Sequence, residues 1–166
     1  MAYVVGVPLL ALFAVLQSAV VSEVRLLDGR ADLVLLAVVA WALAERWTEA
    51  LVWGMIGGLL VDLFSGVPFG ATSMVLVVIA YLASFLEGRF WGAHIFLQLG
   101  IVLAASLVYH LYGLTVLALM GRTVDLSLAL TRVLLPSSFL NLLLALPAVQ
   151  LARVLRASLF PPEVKI

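Results

Sequence analysis

Residues 57–72 read GGLLVDLFSGVPFGAT, a glycine-rich apolar run broken by a single acidic side chain, Asp62. Ala50, Gly54, Gly58 and Asp62 are spaced four apart, so on an α-helix they fall in one line along one face. Three small residues in that line let another backbone approach closely, which is how helices pack inside a bilayer. Beyond Asp62, Gly66, Pro68 and Gly70 supply turn chemistry: proline cannot extend a helical hydrogen-bond ladder, and glycine permits tight backbone geometry. The stretch therefore predicts helix, turn, helix. Two roles are open to its carboxylate. Either the helix and turn form a docking surface on which Asp62 meets a cation, hydroxyl or amide of a partner, or Asp62 is satisfied by the amides of its own turn.

The rest of the chain says what surrounds that hairpin. Of 166 residues, 66% are hydrophobic and 11% charged, against roughly 45–50% and 25% for an average soluble domain. Eighteen charged side chains, nine of each sign, cannot cover the outside of such a chain, so most of its surface must face a bilayer. A net charge of zero argues against nucleic acid as a partner, and the absence of cysteine excludes disulfides, iron–sulfur clusters and thiolate catalysis.

The charges cluster at 23–32, 45–49, 62, 87–89, 122–132 and 153–165. Between them lie apolar stretches that predict an all-α integral membrane protein, a single bundle of about six transmembrane helices at 3–22, 32–46, 49–65, 70–86, 92–120 and 130–152. The second and third are the short ones. Asp32 can cap the second helix at its start and Arg46 can snorkel from its end beside Trp41 and Trp47; otherwise 33–65 forms a hairpin that does not fully cross. The first stretch has no Lys or Arg before it and no convincing cleavage site after it, so it reads as a permanent helix. Arg46, Arg89, Arg153, Arg156 and Lys165 on one side outnumber Arg25, Arg30, Arg122 and Arg132 on the other. That bias predicts cytoplasmic termini, with Asp62 and its turn on the outer side.

Polar residues within the spans are few: Gln17, Gln98, His110 and Asn141. Ser138, Asn141, Ala145 and Ala148 form a small or polar stripe on the last span, and Ala11, Ala14, Ser18 and Ser22 another on the first. Both predict packing inside the protein, since a lipid-facing amide would go unpaired. His94 and His110 lie sixteen residues apart on one predicted helix and point about 160° apart, so they cannot share a metal. Ser106 lies one turn before His110, a spacing that predicts a local hydrogen bond. Arg122 and Arg132 bracket a loop with Asp125 and suit lipid headgroups.

No H-E-x-x-H, G-x-S-x-G, P-loop or G-x-G-x-x-G is present. Asp62 has no second intramembrane carboxylate to form an aspartyl protease pair. The expectation is a protein without cofactor, metal or catalysis of its own.

The run from Arg30-Ala-Asp-Leu-Val-Leu-Leu through Trp41-Ala-Leu, Trp53-Gly-Met-Ile-Gly-Gly-Leu-Leu-Val-Asp62-Leu-Phe-Ser-Gly66-Val-Pro68-Phe-Gly70 and Tyr81-Leu82 resembles the MreD family of rod shape-determining proteins. The resemblance covers about residues 30–90, and the chain length and span count agree with it. Ala31 stands where the family pattern has a proline. The resemblance implies a multi-pass component of the bacterial inner (cytoplasmic) membrane that organises the cell wall during elongation. It also implies partners: the single-span protein MreC and, through it, the RodA polymerase, a penicillin-binding transpeptidase and the MreB filament. A different class with similar composition is the substrate-binding membrane subunit of a vitamin importer of the ECF type, which would carry polar and aromatic groups converging on a pocket near the outer surface.

Overall fold

The computed structural model describes residues 2–19, 28–44, 47–89 and 95–160. The expectations placed on Ser22, Arg25, Arg46, His94 and Lys165 lie outside the described residues. Six helices make up the bundle: α1 (Ala2–Ala19), α2 (Leu33–Ala42), α3 (Trp47–Phe64), α4 (Ala71–Arg89), α5 (Ile95–Leu119) and α6 (Leu126–Leu159). Of these, α3, α5 and α6 are long and apolar enough to cross a membrane, and α1, α2 and α4 are shorter apolar helices. The chain is an all-α integral membrane protein.

Helix α2 is the centre of the bundle. It packs against each of the other five helices, and Val34, Leu35, Leu36 and Val38–Ala42 are all buried. Its sequence, LVLLAVVAWA, explains this: a helix apolar on every side must be enclosed on every side. At about 1.5 Å per residue its ten residues reach about 15 Å, half a bilayer core. Where the sequence had predicted helix throughout 32–46, the helix runs from Leu33 to Ala42 and is preceded by a non-helical strap, residues 28–32.

The strap lies along α6. Asp28 N–H donates to the Arg132 carbonyl at 3.2 Å, Arg30 N–H to Ser137 Oγ at 3.0 Å and Asp32 N–H to Asn141 Oδ1 at 2.8 Å. Alternate amides of an extended chain therefore each find a partner on α6, which non-helical backbone inside a membrane requires. Helix α6 is built to offer these acceptors. Pro136 has no N–H to give to the carbonyl of Arg132 four residues earlier, and that carbonyl accepts from Asp28 instead. The helix is widened to π geometry just there, over Ala129–Leu134, which relieves the press of the proline ring on the preceding turn. The strap runs so close that a Cβ on Gly29 would lie 2.6 Å from Pro136 Cβ and 2.7 Å from Ser137 N.

The remaining boundaries move by a few residues, except that α6 runs from Leu126 to Leu159, well beyond the predicted 130–152. On α1 the inward face is Gly6, Leu10, Ala14 and Gln17, whereas Ser18 is exposed. The predicted small-residue face is therefore rotated by part of a turn.

Candidate functional site

The α3–α4 hairpin settles where the small-residue line goes. A Cβ on Gly54 would sit 3.0 Å from the Leu76 backbone, and one on Gly58 would sit 2.4 Å from Ser73 Cα. Ala50 is fully buried. Helix α4 of the same chain occupies this face, so no partner can lie on it. The reading of Ala50, Gly54 and Gly58 as a docking surface gives way to internal packing, because the closest backbone in reach is the next helix of the hairpin.

Asp62, only 4% exposed, faces the start of that same helix. Its carboxylate accepts from Gly70 N–H at 2.8 Å and from Thr72 N–H at 3.1 and 3.2 Å. Gly70 immediately precedes α4 and Thr72 lies in its first turn, so neither amide has an acceptor within the helix, and a carboxylate there also meets the positive end of the helix dipole. Gly70 has φ +93°, a left-handed conformation that glycine adopts without strain, and Pro68 accepts from Ala71 N–H through its carbonyl. Of the two roles open to Asp62, the contacts are those of its own turn.

A second polar cluster joins α1, the strap, α5 and α6. Asp32 precedes α2 in the N-cap position, yet its carboxylate makes no capping bond. Val34 N–H is satisfied by Gln17 Oε1 of α1 at 3.2 Å, which corrects the role expected of Asp32. The Asp32 carboxylate instead turns to α6 and α5. Asn141, wholly buried, clasps Asp32 with both ends of its amide: Oδ1 accepts Asp32 N–H, and Nδ2 donates to Asp32 Oδ2 at 2.9 Å and to Ser106 Oγ at 2.9 Å. Ser106 Oγ donates on to Ser138 Oγ at 3.3 Å.

His110 completes the cluster. Its Nδ1 lies 2.8 Å from the Ser106 carbonyl and its Nε2 lies 3.4 Å from Asp32 Oδ2. A carbonyl only accepts, so Nδ1 carries a hydrogen. The Ser106 hydroxyl faces Asn141 and Ser138 rather than the imidazole, so the pair lacks the geometry of an activated nucleophile.

Part of this cluster borders a cavity of about 230 Å³. Gln17, Arg30, Asp32, His110 and Ser137 line it together with Tyr109 and Tyr112, and its apolar walls come from the α3–α4 turn, α5 and the π-helical part of α6. Ser65, Val67 and Thr72 put the Asp62 turn at its edge. The structure thus brings Gln17, His110 and Asn141 together and sets Asp62, Gly66, Pro68 and Gly70 beside them. Gln98 stands apart: it is buried on α5, outside the cavity lining, and its Nε2 has no hydrogen-bond partner among the described residues.

Sequence reasoning missed Arg30, Asp32 and Tyr109 as site residues. The available signal was that Asp32, His110 and Asn141 are polar groups in three different apolar segments, and such groups in a membrane seek one another. It also missed the Trp41–Trp53 stack (centroids 4.3 Å apart, planes within 10°) and the Trp41 Nε1–H donation to the buried Glu49 at 3.2 Å.

The fold and the site define a class: a multi-helix membrane protein with an ionisable, hydrogen-bonded floor beneath an open cavity. Residues 1–156 match the family of the rod shape-determining protein MreD. The chain belongs to that family, and its role lies in rod-shape determination at a bacterial membrane. No curated protein and no solved structure matches it.

Proposed function

We propose that the chain is a non-enzymatic membrane scaffold of the cell-elongation machinery. It holds the single-span protein MreC by a segment seated in the cavity, and so helps position the RodA polymerase, its penicillin-binding transpeptidase and the MreB filament. On this reading the protein lies in the bacterial inner membrane with its termini in the cytoplasm, and the cavity opens outward beside the Asp62 turn. The observation that carries the proposal is the placement of Arg30, Asp32 and His110 on the wall of one cavity. Ionisable side chains within a membrane are costly and mark functional positions. The other candidate surface, the small-residue line of α3, is already filled by α4.

Gly113 provides the test. It lines the cavity, and a Cβ built on it meets nothing within 4 Å, so Gly113→Leu adds bulk to the cavity while leaving the packed core alone. The expected outcome is a folded, detergent-stable protein that recovers MreC at least tenfold less well in co-purification. Undiminished recovery would remove the cavity from the account. The aromatic and polar lining also keeps the vitamin-importer reading testable. A small-molecule site would give saturable thermal stabilisation by a water-soluble vitamin, about 2.7 kcal/mol at one hundred times Kd, and such a shift would replace the scaffold proposal.

A further inference from the structure

Two polar atoms on the cavity wall are left over from the hydrogen bonds around it. Gln17 and Asp32 both line the cavity, and each is more than nine-tenths buried. Val34 N–H donates to Gln17 Oε1 at 3.2 Å. That bond fixes the orientation of the amide: its oxygen faces α2, and Nε2 is the free end. Among the described residues this Nε2 has no acceptor. The Asp32 carboxylate is half spent in the same way. Its Oδ2 accepts from Asn141 Nδ2 at 2.9 Å and lies 3.4 Å from His110 Nε2, while its Oδ1 has no donor among the described residues. Trp53 Nε1 and Gln98 Nε2 are sealed inside protein, but Gln17 Nε2 and Asp32 Oδ1 are not, so both stay open to the cavity that their residues line. Gln17 holds the amide two residues beyond Asp32, which puts the free donor and the free acceptor on one wall.

We infer that the cavity takes an extended, non-helical stretch of peptide and reads the backbone of one of its residues: the C=O accepts from Gln17 Nε2 and the N–H donates to Asp32 Oδ1. This rests on the proposal that a partner segment occupies the cavity, and it adds that segment's conformation. Every residue but proline carries one donor and one acceptor on its main chain. In an extended chain the two point to the same side, as they do toward a neighbouring strand. In an α-helix they point opposite ways and are already joined to residues four away. Size favours the same choice. One turn of helix, about 10 Å across and 5.4 Å long, fills roughly 400 Å³, well above the cavity's 230 Å³. An extended chain enters with one or two residues, their side chains against the apolar walls and the rings of Tyr109 and Tyr112. A lipid tail has no donor for Asp32 Oδ1 and would bury it unpaired.

The experiment compares the full-length parent, Asp32→Asn and Gln17→Met for recovery of full-length MreC from detergent, per folded protein as checked by thermal transition. Asp32→Asn still offers Asn141 an oxygen but turns an N–H toward the cavity, and Gln17→Met keeps the side chain's length without its donor. Each is expected to lower recovery about tenfold. A proline scan of MreC, through its span and the segments flanking it, then finds the residue that is read. Proline has no N–H to give Asp32, so one position outside the helical span should lose about tenfold with the parent and nothing further with Asp32→Asn. If one cavity variant fails to fold, the other, paired with the same scan, decides the question. Undiminished recovery by both folded variants, the result if water alone meets these two atoms, would overturn the extended-segment inference; if Gly113→Leu still blocks recovery, the cavity proposal survives without it. Proline losses that recur along the helical span of MreC and add to the loss from Asp32→Asn would also overturn it, and would place a helix at the cavity.

Discussion

Two joints hold this bundle, and they work by opposite means. The α3–α4 hairpin closes because side chains are missing: Gly54 and Gly58 let two backbones meet, and Asp62 ties the turn across eight to ten residues of chain. The joint between the strap, α5 and α6 closes because polar side chains are present, and its bonds link Asp32 to Asn141 across 109 residues and Asn141 to Ser106 across 35. In a bilayer, burying apolar groups against one another gains little over leaving them in lipid, so helices associate by close packing or by hydrogen bonding. The hairpin, whose partners adjoin in sequence, relies chiefly on the first; the strap joint combines the second with close packing of Gly29 on Pro136. The site sits on the second, because a polar joint is where ionisable groups can be held in the membrane at tolerable cost.

The contrast can be broken experimentally, starting with its most demanding contact. Gly58→Leu puts a side chain where a Cβ already lies 2.4 Å from Ser73 Cα. Backbone cannot yield as a side-chain tip does, so the loss should exceed about 3 kcal/mol and no monodisperse protein should be recovered from detergent. A well-folded Gly58→Leu variant would mean that α4 does not lie on this face.

At the polar joint, Asn141→Ala removes two hydrogen bonds to Asp32 at once, stranding its buried amide and leaving its carboxylate with His110 alone. Its expected cost is about 3 kcal/mol, measured as a lowered thermal transition. Asp32→Asn in the same background should recover part of that loss, since it removes the stranded charge. If the double variant is no more stable than Asn141→Ala, the charge was not what Asn141 was holding.

The smallest effect belongs to the turn. Asp62→Ala strands the N–H groups of Gly70 and Thr72 and should cost about 1–2 kcal/mol, while Asp62→Asn keeps an acceptor and should cost less. MreC recovery should persist in both variants once corrected for folded protein, because the carboxylate is spent inside the chain. Lost recovery from folded Asp62→Asn would return this residue to the interface.

The sequence alone determined much of this protein. Hydropathy sets the environment and the number of helices, since a chain with so few charges has only a bilayer to face. The helix–turn–helix of the hairpin was equally legible, because the period-four line and the Gly66, Pro68, Gly70 turn are local patterns. What only the tertiary structure decided was which helix fills the small-residue line, where Asp62 points, and above all that Asp32 leaves its own helix uncapped to join Asn141 and His110. A helical period fixes a side chain's direction around its own axis. It carries no information about which of five other helices stands in that direction, and in a bundle whose surfaces are apolar nearly all round, hydrophobicity does not choose among them. A few buried hydrogen bonds do, and their partners are separated by 17 to 109 residues of sequence.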